Sequence, residues 1–405
     1  MSHHHDHALP QPPAPIRMPT SARNVAVLLV LLGLGTLAWA FQAGRPELAW
    51  SSYLIGAYYA LALGVFGALW ISVQHLGRGV WSVTMRRVPE AMTSWLFPGG
   101  LLALAVGLGA PYLYHWSHVE AVAQDELLQH KSPFLNTTMF YVLMSVCLGA
   151  WVLLARAITG NSRRQDQEGG IELTRRNGVL SAVFVIVFAL SISVVGFYLL
   201  MSLEPHWFST MFAVLLFTDA LQTGTAFVAL VVGYLILRGD FSGFVTRNHL
   251  HSLGKMVFAT TGFWAYIALC QFLLIWYANI PEETVYYIRR WENGWQPYLL
   301  LLPVVKFLVP FIFMVPRCCK REPQPLMMAS AWLLFAQLWE LYMMVAPAVG
   351  HGESAAHGHL PCVEFTVGVG FLAAFYLLFA YCLGRHGAVP LKDPALQESL
   401  EYHPA

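Results

Sequence analysis

Long apolar runs separated by short polar stretches dominate this chain. A window of about 19 residues picks out ten runs, at approximately 24–41, 51–74, 92–114, 137–158, 179–203, 208–237, 249–277, 293–315, 327–348 and 362–384. Each is near the roughly 20 residues a helix needs to cross a bilayer. The period-two alternation of strands is absent. The pattern predicts an all-α polytopic membrane protein with about ten transmembrane helices. The sixth and seventh runs exceed what a bilayer requires, so they tilt or protrude. Only Glu204-Pro205-His206-Trp207 separates the fifth run from the sixth, which makes a tight hairpin.

Composition agrees. The chain is 57% hydrophobic and 11% charged, where a soluble domain carries about 25% charged residues. A net charge of +1 and the lack of a basic aromatic patch argue against a nucleic-acid partner. The six Cys form no C-x-x-C or C-x-x-C-H pattern, so no haem attachment, zinc or iron–sulfur site is expected, and no metal site. The adjacent Cys318 and Cys319 read as reduced thiols, since a bridge between neighbours is strained. P-loop, G-x-S-x-G, H-E-x-x-H and dinucleotide fingerprints have no credible context.

Lys and Arg set the orientation. Of 23, 17 belong to the two tails and to the connections after the second, fourth, sixth and eighth runs; four lie on the other side (Arg45, Lys131, Arg289, Arg290), and Lys255 and Lys306 lie within runs. Both termini should be cytoplasmic. The expected organisation is a disordered cytoplasmic tail over 1–23, a ten-helix membrane domain over 24–384 and a cytoplasmic tail over 385–405. The first 23 residues are rich in Pro and His and show no signal-peptide cleavage site. His3, His4, His5 and His7 are metal-capable, but a disordered tail is the simpler reading. The stretch Trp81–Glu90, with Arg86 and Arg87, reads as a basic interfacial anchor.

Charges inside apolar runs carry the most information, because hydrocarbon penalises them unless they face protein or water. Asp219 lies near the middle of the sixth run, with Gln222 and Thr223 at i+3 and i+4 on one helix face. Lys306 is central in the eighth, between Pro303 and Pro310. Glu340 is within the ninth, with Gln337 three residues before it. Lys255 is near the cytoplasmic end of the seventh, and Glu364 at the outer end of the tenth. Two readings stand: static ion pairs that hold the bundle, or a partial proton path. The seventh run also carries Trp264, Tyr266 and Gln271, which a lipid anchor does not need.

A second group gathers on the outer side: Glu204, His206, Trp207, Tyr277, Glu282 and Glu283. A His or carboxylate beside an aromatic cleft suits a quinol, which loses two protons with its two electrons. The plain alternative is that Glu282 and Glu283 cap a short outer helix, Glu283 to Trp291, starting after Pro281. Weak internal similarity appears as well. Trp50-Ser51-Ser52 opens the second run and Trp207-Phe208-Ser209 the sixth, an offset of 157, compatible with a duplication of helices 2–5 and 6–9.

Several of these segments together resemble one family. They are Trp81-Ser82 with Arg86-Arg87 and Glu90; Met201 through Thr210; and Gly254-Lys255 through Trp264 and Gln271 to Trp276-Tyr277-Ala278-Asn279-Ile280-Pro281-Glu282-Glu283. Pro297 with Lys306, and Trp339-Glu340 with Tyr342, fit less specifically. The chain resembles the NrfD/polysulfide-reductase membrane-subunit family, most closely its F-subunit branch in bacterial alternative complex III, a quinol:electron-acceptor oxidoreductase. The resemblance implies two four-helix bundles, helices 2–5 and 6–9, flanked by the first and last. It implies a multi-pass protein of the bacterial inner membrane with no redox centre of its own. Haem c and iron–sulfur clusters would sit in periplasmic partner subunits, beside a paralogous membrane subunit that is the better candidate for the main quinol site. Carried onto this chain, proton-path candidates are Asp219, Lys255, Lys306, Glu340 and Glu364. The outer-face candidates, with a quinone or quinol in view, are Glu204, His206, Trp207, Tyr277, Glu282 and Glu283. A stand-alone secondary transporter and a purely structural scaffold are the alternative functions. The His-rich N-terminus and the His351–His359 loop match nothing in the family pattern.

Overall fold

The computed structural model describes residues 16–349 and 361–403; the histidines at positions 3–7 and the His351–His359 loop lie outside them. Among the described residues there is no strand, and ten helices are long and apolar enough to cross a membrane. They are α1 (Thr20–Gln42), α2 (Pro46–Leu76), α3 (Arg87–Leu113), α4 (Thr137–Glu168), α5 (Glu172–Leu203), α6 (Thr210–Arg238), α7 (Arg247–Ala278), α8 (Gln296–Met314), α9 (Pro323–Val345) and α10 (Cys362–Arg385). The protein is an all-α, multi-pass membrane protein. Both described chain ends lie at one face: Arg238, at the end of α6, donates to the Arg17 carbonyl, and His249, at the start of α7, meets Ser399. This is called the terminal face below, and the opposite one the distal face.

Two closed four-helix rings make up the body. In the first, α2 packs on α3, α3 on α4, α4 on α5 and α5 back on α2; α6 to α9 repeat the same order in the second. Helix α10 packs on α1 and α2, outside the rings. The expected arrangement of two bundles with the first and last helices at the flank is therefore what forms. A Cβ on Gly33 of α1 would lie 3.0 Å from the Cα of Gly370 of α10, so bare backbone lets these two helices touch, as small residues do in membranes. The seam between bundles runs along α2 against α6 and α9 and along α5 against α6. At Gly224 a Cβ would fall 2.0 Å from the Phe66 ring, so that position admits only glycine unless the ring moves.

Exposure separates the helices by role. The most apolar stretch of α2 is 94% buried, whereas those of α1 and α8 are 17% buried. Helix α2 is thus the central post of the molecule, and α1 and α8 turn most of their surface to lipid.

Two local features follow directly from proline and asparagine. Helix α7 ends at Asn279, which takes the left-handed conformation at φ 48°, a conformation Asn tolerates better than most residues. Ile280 is extended, and Pro281 opens a short outer helix, Pro281–Trp291, at the position where its missing N–H costs nothing. Helix α8 widens into a π-helical turn over Val304–Leu308. Pro310 has no N–H, so the carbonyls of Lys306 and Val305, four and five residues back, lose their donor. Gln222 Nε2 donates to the first at 3.2 Å and Trp332 Nε1 to the second at 2.7 Å. The widened turn is stabilised by side chains from α6 and α9.

The residues after α10 are not a loose tail. Lys392 Nζ donates to the Gln167 carbonyl at 2.5 Å, Asp393 pairs with Arg86 at 2.6 Å, and the Ser252 and Tyr402 hydroxyls lie 3.0 Å apart. His249 accepts from the Thr246 N–H through Nδ1 at 3.1 Å, so Nε2 carries the proton donated to the Ser399 carbonyl at 2.9 Å. The segment therefore crosses the terminal face and ties the first bundle to the second.

Candidate functional site

The second bundle contains a polar centre inside its ring. Lys306, fully buried in the widened turn of α8, donates to Asp219 Oδ1 of α6 at 2.6 Å and to Gln337 Oε1 of α9 at 2.7 Å, and it also pairs with Glu340 of α9. Trp264 of α7 donates its indole N–H to Glu340 Oε1 at 3.0 Å, and the Lys306 ammonium lies 4.7 Å from its ring centroid. Each of the four helices contributes a side chain. Asp219 is nine residues into α6 and Lys306 ten into α8. At 1.5 Å per residue, that places the centre about 14–15 Å inside the distal helix ends. Two carboxyl groups thus surround one ammonium, at a depth where hydrocarbon penalises unpaired charge.

Above this centre, toward the distal face, lies a cavity of about 180 Å³ lined by Phe208, Ser209, Thr210, Met211, Gln271, Leu274, Ile275 and Glu283. Trp264, Ile267, Gln271 and Ile275 are the buried positions along one stripe of α7. Gln271 sits two turns beyond Trp264 on that stripe. Its side chain is buried, and neither amide atom has a hydrogen-bond partner among the described residues.

The outer-face candidates divide. Glu204 and Trp207 turn inward. Glu204 pairs with Arg290 at 2.8 Å and with Arg289 at 3.4 Å. Trp207 stacks on Tyr286 with centroids 4.3 Å apart and donates to the Glu283 carbonyl at 3.0 Å. Arg290, buried on the short outer helix, also donates to the carbonyls of Met343 and Met344 at 2.9 Å and so fastens that helix to the end of α9. Burial works against the Arg290 charge, but Glu204, Tyr286 and Tyr287 together hold the guanidinium above its usual range. His206 is exposed and pairs with Asp125 at 2.5 Å. The Leu128 N–H, followed by His206, holds the Asp125 carboxyl below its usual range. Glu282 is exposed and Glu283 half-buried in the first turn of the outer helix, where acidic groups favour a helix N-terminus. Tyr277 is 87% exposed and turns away from Trp207. Tyr277 and Trp276 take the place of an interfacial aromatic belt instead.

Among the proton-path candidates, Asp219, Lys306 and Glu340 come together. Lys255 is exposed in the third turn of α7 and stands apart from them, near His251 at the terminal end. Glu364 is buried in the first turn of α10, beside Phe365, whose ring packs on Trp339 and Tyr342.

The supposed basic anchor at Trp81–Glu90 is corrected. Arg86, Arg87 and Glu90 are buried, and α3 starts five residues earlier than its apolar run because they pair with one another. Arg87 binds Glu90 and Asp166, Arg86 binds Glu90 at 3.3 Å and Asp393 at 2.6 Å, and the Ser162 hydroxyl donates to Glu90. Net basic charge is the signal for a membrane anchor, but Glu90 pairs with both arginines, and Asp166 and Asp393 from elsewhere in the chain complete the neutralisation. The Arg-x-x-Glu spacing was the available clue.

Searched against models of known protein families and against curated proteins, the chain matches none. Among the described residues no cluster of His, Cys, Asp or Glu is placed to hold a metal ion.

Proposed function

We propose that this protein is a membrane subunit of a quinol-oxidising respiratory complex of the alternative complex III type, and that the Asp219–Lys306–Glu340 centre is its proton-holding site. In this reading the terminal face is cytoplasmic, the membrane is the bacterial inner membrane, and the redox centres sit in partner subunits at the distal face. Membership in the complex rests on the sequence resemblance. The proton role rests on one observation: two buried carboxyl groups converge on one buried ammonium.

The charge arithmetic supports it. With all three groups ionised, the centre carries one negative charge more than it balances, inside a medium that penalises net charge. One additional proton shared among the three makes it neutral. Such a site takes up or releases that proton when a neighbouring charge or water changes, and Lys306 can pass it between the two acids without leaving its place. The widened turn of α8 directs the ammonium into the ring, and Trp264 orients Glu340 from the other side.

The test uses the intact complex in proteoliposomes, with Asp219→Asn, Lys306→Met and Glu340→Gln as separate variants. Quinol oxidation is expected to continue while protons moved per electron fall in each. Unchanged proton coupling in all three variants would leave the centre a static ion-pair group and would sink the proposal.

A further inference from the structure

The distal cavity has a chemistry that neither the proton site nor the outer helix uses. Gln271, 2% exposed, lines it, and both of its amide atoms are buried without a hydrogen-bond partner among the described residues. One wall is the N-terminus of α6. The first N–H groups of any helix lack intrahelical acceptors, and Ser209, the capping residue, makes no side-chain cap. The Phe212 N–H is donated to the Ser209 carbonyl at 3.3 Å, so that wall offers the N–H groups of Thr210 and Met211 and the positive end of a 29-residue helix. The opposite rim carries the Glu283 carboxylate. The outer edge is open: Phe208 is 54% and Leu274 60% exposed, and the Lys131 ammonium, which donates to the Pro205 carbonyl, lies 5.7 Å from the Phe208 ring centroid. Trp276 and Tyr277, one turn further along α7, set the level of the headgroup belt.

An occupant must therefore offer an electronegative group to the α6 end and a cation with N–H donors to Glu283, and it must reach the site from the lipid side. A purely anionic ligand meets Glu283; a purely cationic one meets the helix end. We propose that this cavity binds the zwitterionic headgroup of a phosphatidylethanolamine-type lipid. The phosphate lies against the α6 N–H groups, the Ser209 hydroxyl and Gln271 Nε2. The primary ammonium lies between Gln271 Oε1 and Glu283, and the glycerol and acyl chains leave over Phe208 and Leu274. A trimethylammonium headgroup lacks the N–H donors that Gln271 Oε1 and Glu283 would accept.

Native mass spectrometry tests this on the protein extracted with its partners and equilibrated with equimolar phosphatidylethanolamine, phosphatidylcholine and phosphatidylglycerol. Wild type should retain phosphatidylethanolamine roughly tenfold over the other two, a ratio worth about 1.4 kcal/mol. Glu283→Gln, at a half-buried position, should bring the ethanolamine and choline lipids to near parity. Gln271→Leu should lose retained lipid altogether, and Gln271→Asn, a smaller change, should weaken retention if the leucine variant does not fold. Equal retention of the three lipids by wild type, or an unchanged ratio in the Glu283 and Gln271 variants, would overturn the assignment. So would displacement of the retained lipid by an equal concentration of soluble phosphoethanolamine or of a short-chain quinol, because either would show that the acyl-linked headgroup is not what the cavity selects.

Discussion

The two four-helix bundles share a helix order but place their buried charge differently. In the second, Asp219, Lys306 and Glu340 meet deep inside the ring. In the first, the interior at similar depth is neutral, with contacts such as the Trp151 indole donating to the Ser191 hydroxyl at 2.7 Å. Its buried charges, Arg86, Arg87 and Glu90, collect at the terminal end, where the half-buried Asp166 and Asp393 of the C-terminal segment join them. The charges of the first bundle join chain segments at a membrane boundary. Those of the second lie where joining alone has a cheaper apolar solution, since well-packed hydrophobic residues often replace a buried ion pair without loss of stability. One architecture thus serves as a scaffold on one side and as a charge-holding chamber on the other.

Removing single partners should sharpen that contrast. The largest effect expected is from Lys306→Met, which leaves two carboxyl groups buried without their cation. It should cost about 3–5 kcal/mol, read as a fall in the unfolding midpoint in detergent. Adding Asp219→Asn and Glu340→Gln to it should return most of that loss, and failure to do so would mean the cation is needed for packing rather than for charge. Next is Gly224→Leu at the seam between bundles. Forcing a side chain against Phe66 should cost roughly 1–3 kcal/mol and should loosen the bundles from each other before either unfolds, visible as two transitions instead of one. Gln222→Leu strips the donor from a carbonyl already orphaned by Pro310 and should cost about 1–3 kcal/mol. Trp151→Phe, the neutral counterpart in the first bundle, should cost about 1 kcal/mol and leave proton coupling untouched. If it disturbs coupling as much as the Lys306 variant does, the contrast between bundles fails.

The smallest effect should be at the surface pair. His206→Ala should change stability by well under 1 kcal/mol and leave quinol turnover unaltered; a loss of turnover would bring the exposed distal loop into the chemistry. Asp125, held below its usual value of 3.8, contributes stability that is present above that value and lost as pH falls through its folded pKa. The difference between wild type and Asp125→Asn in protease sensitivity of residues 119–131 should therefore be seen at pH 5 and fade in stronger acid.

The spans were readable from sequence because a bilayer demands continuous apolar length, and their ends were less so because helices run on into water. Helix α4 continues to Glu168, ten residues past its apolar run, since nothing at the membrane surface requires a helix to stop. Asp219, Lys306 and Glu340 stood out individually as charges in hydrocarbon, yet their meeting depends on the rotation of three helices and on the π turn, which hydropathy does not encode. Pro303 and Pro310 hinted at that turn. Arg290 was hidden because it counted as one of the few outer basic residues; only the fold shows it buried against Glu204 and the α9 carbonyls. Tyr277 was grouped with Trp207 by its place near the distal end, but one helix face points to lipid and the other to protein, and chain position alone does not say which.

The C-terminal segment has a consequence for how the molecule is made. The residues that bridge Arg86 and Gln167 of the first bundle to His249 and Ser252 of the second are synthesised after both bundles and after α10. Until then Arg86 has only Glu90 as a counterion, and the terminal face lies unlatched while α10 is still being inserted. Closure of that face waits for residues 392–402, so a nascent protein stalled before them would be fully threaded through the membrane and still open to whatever surveys unfinished products.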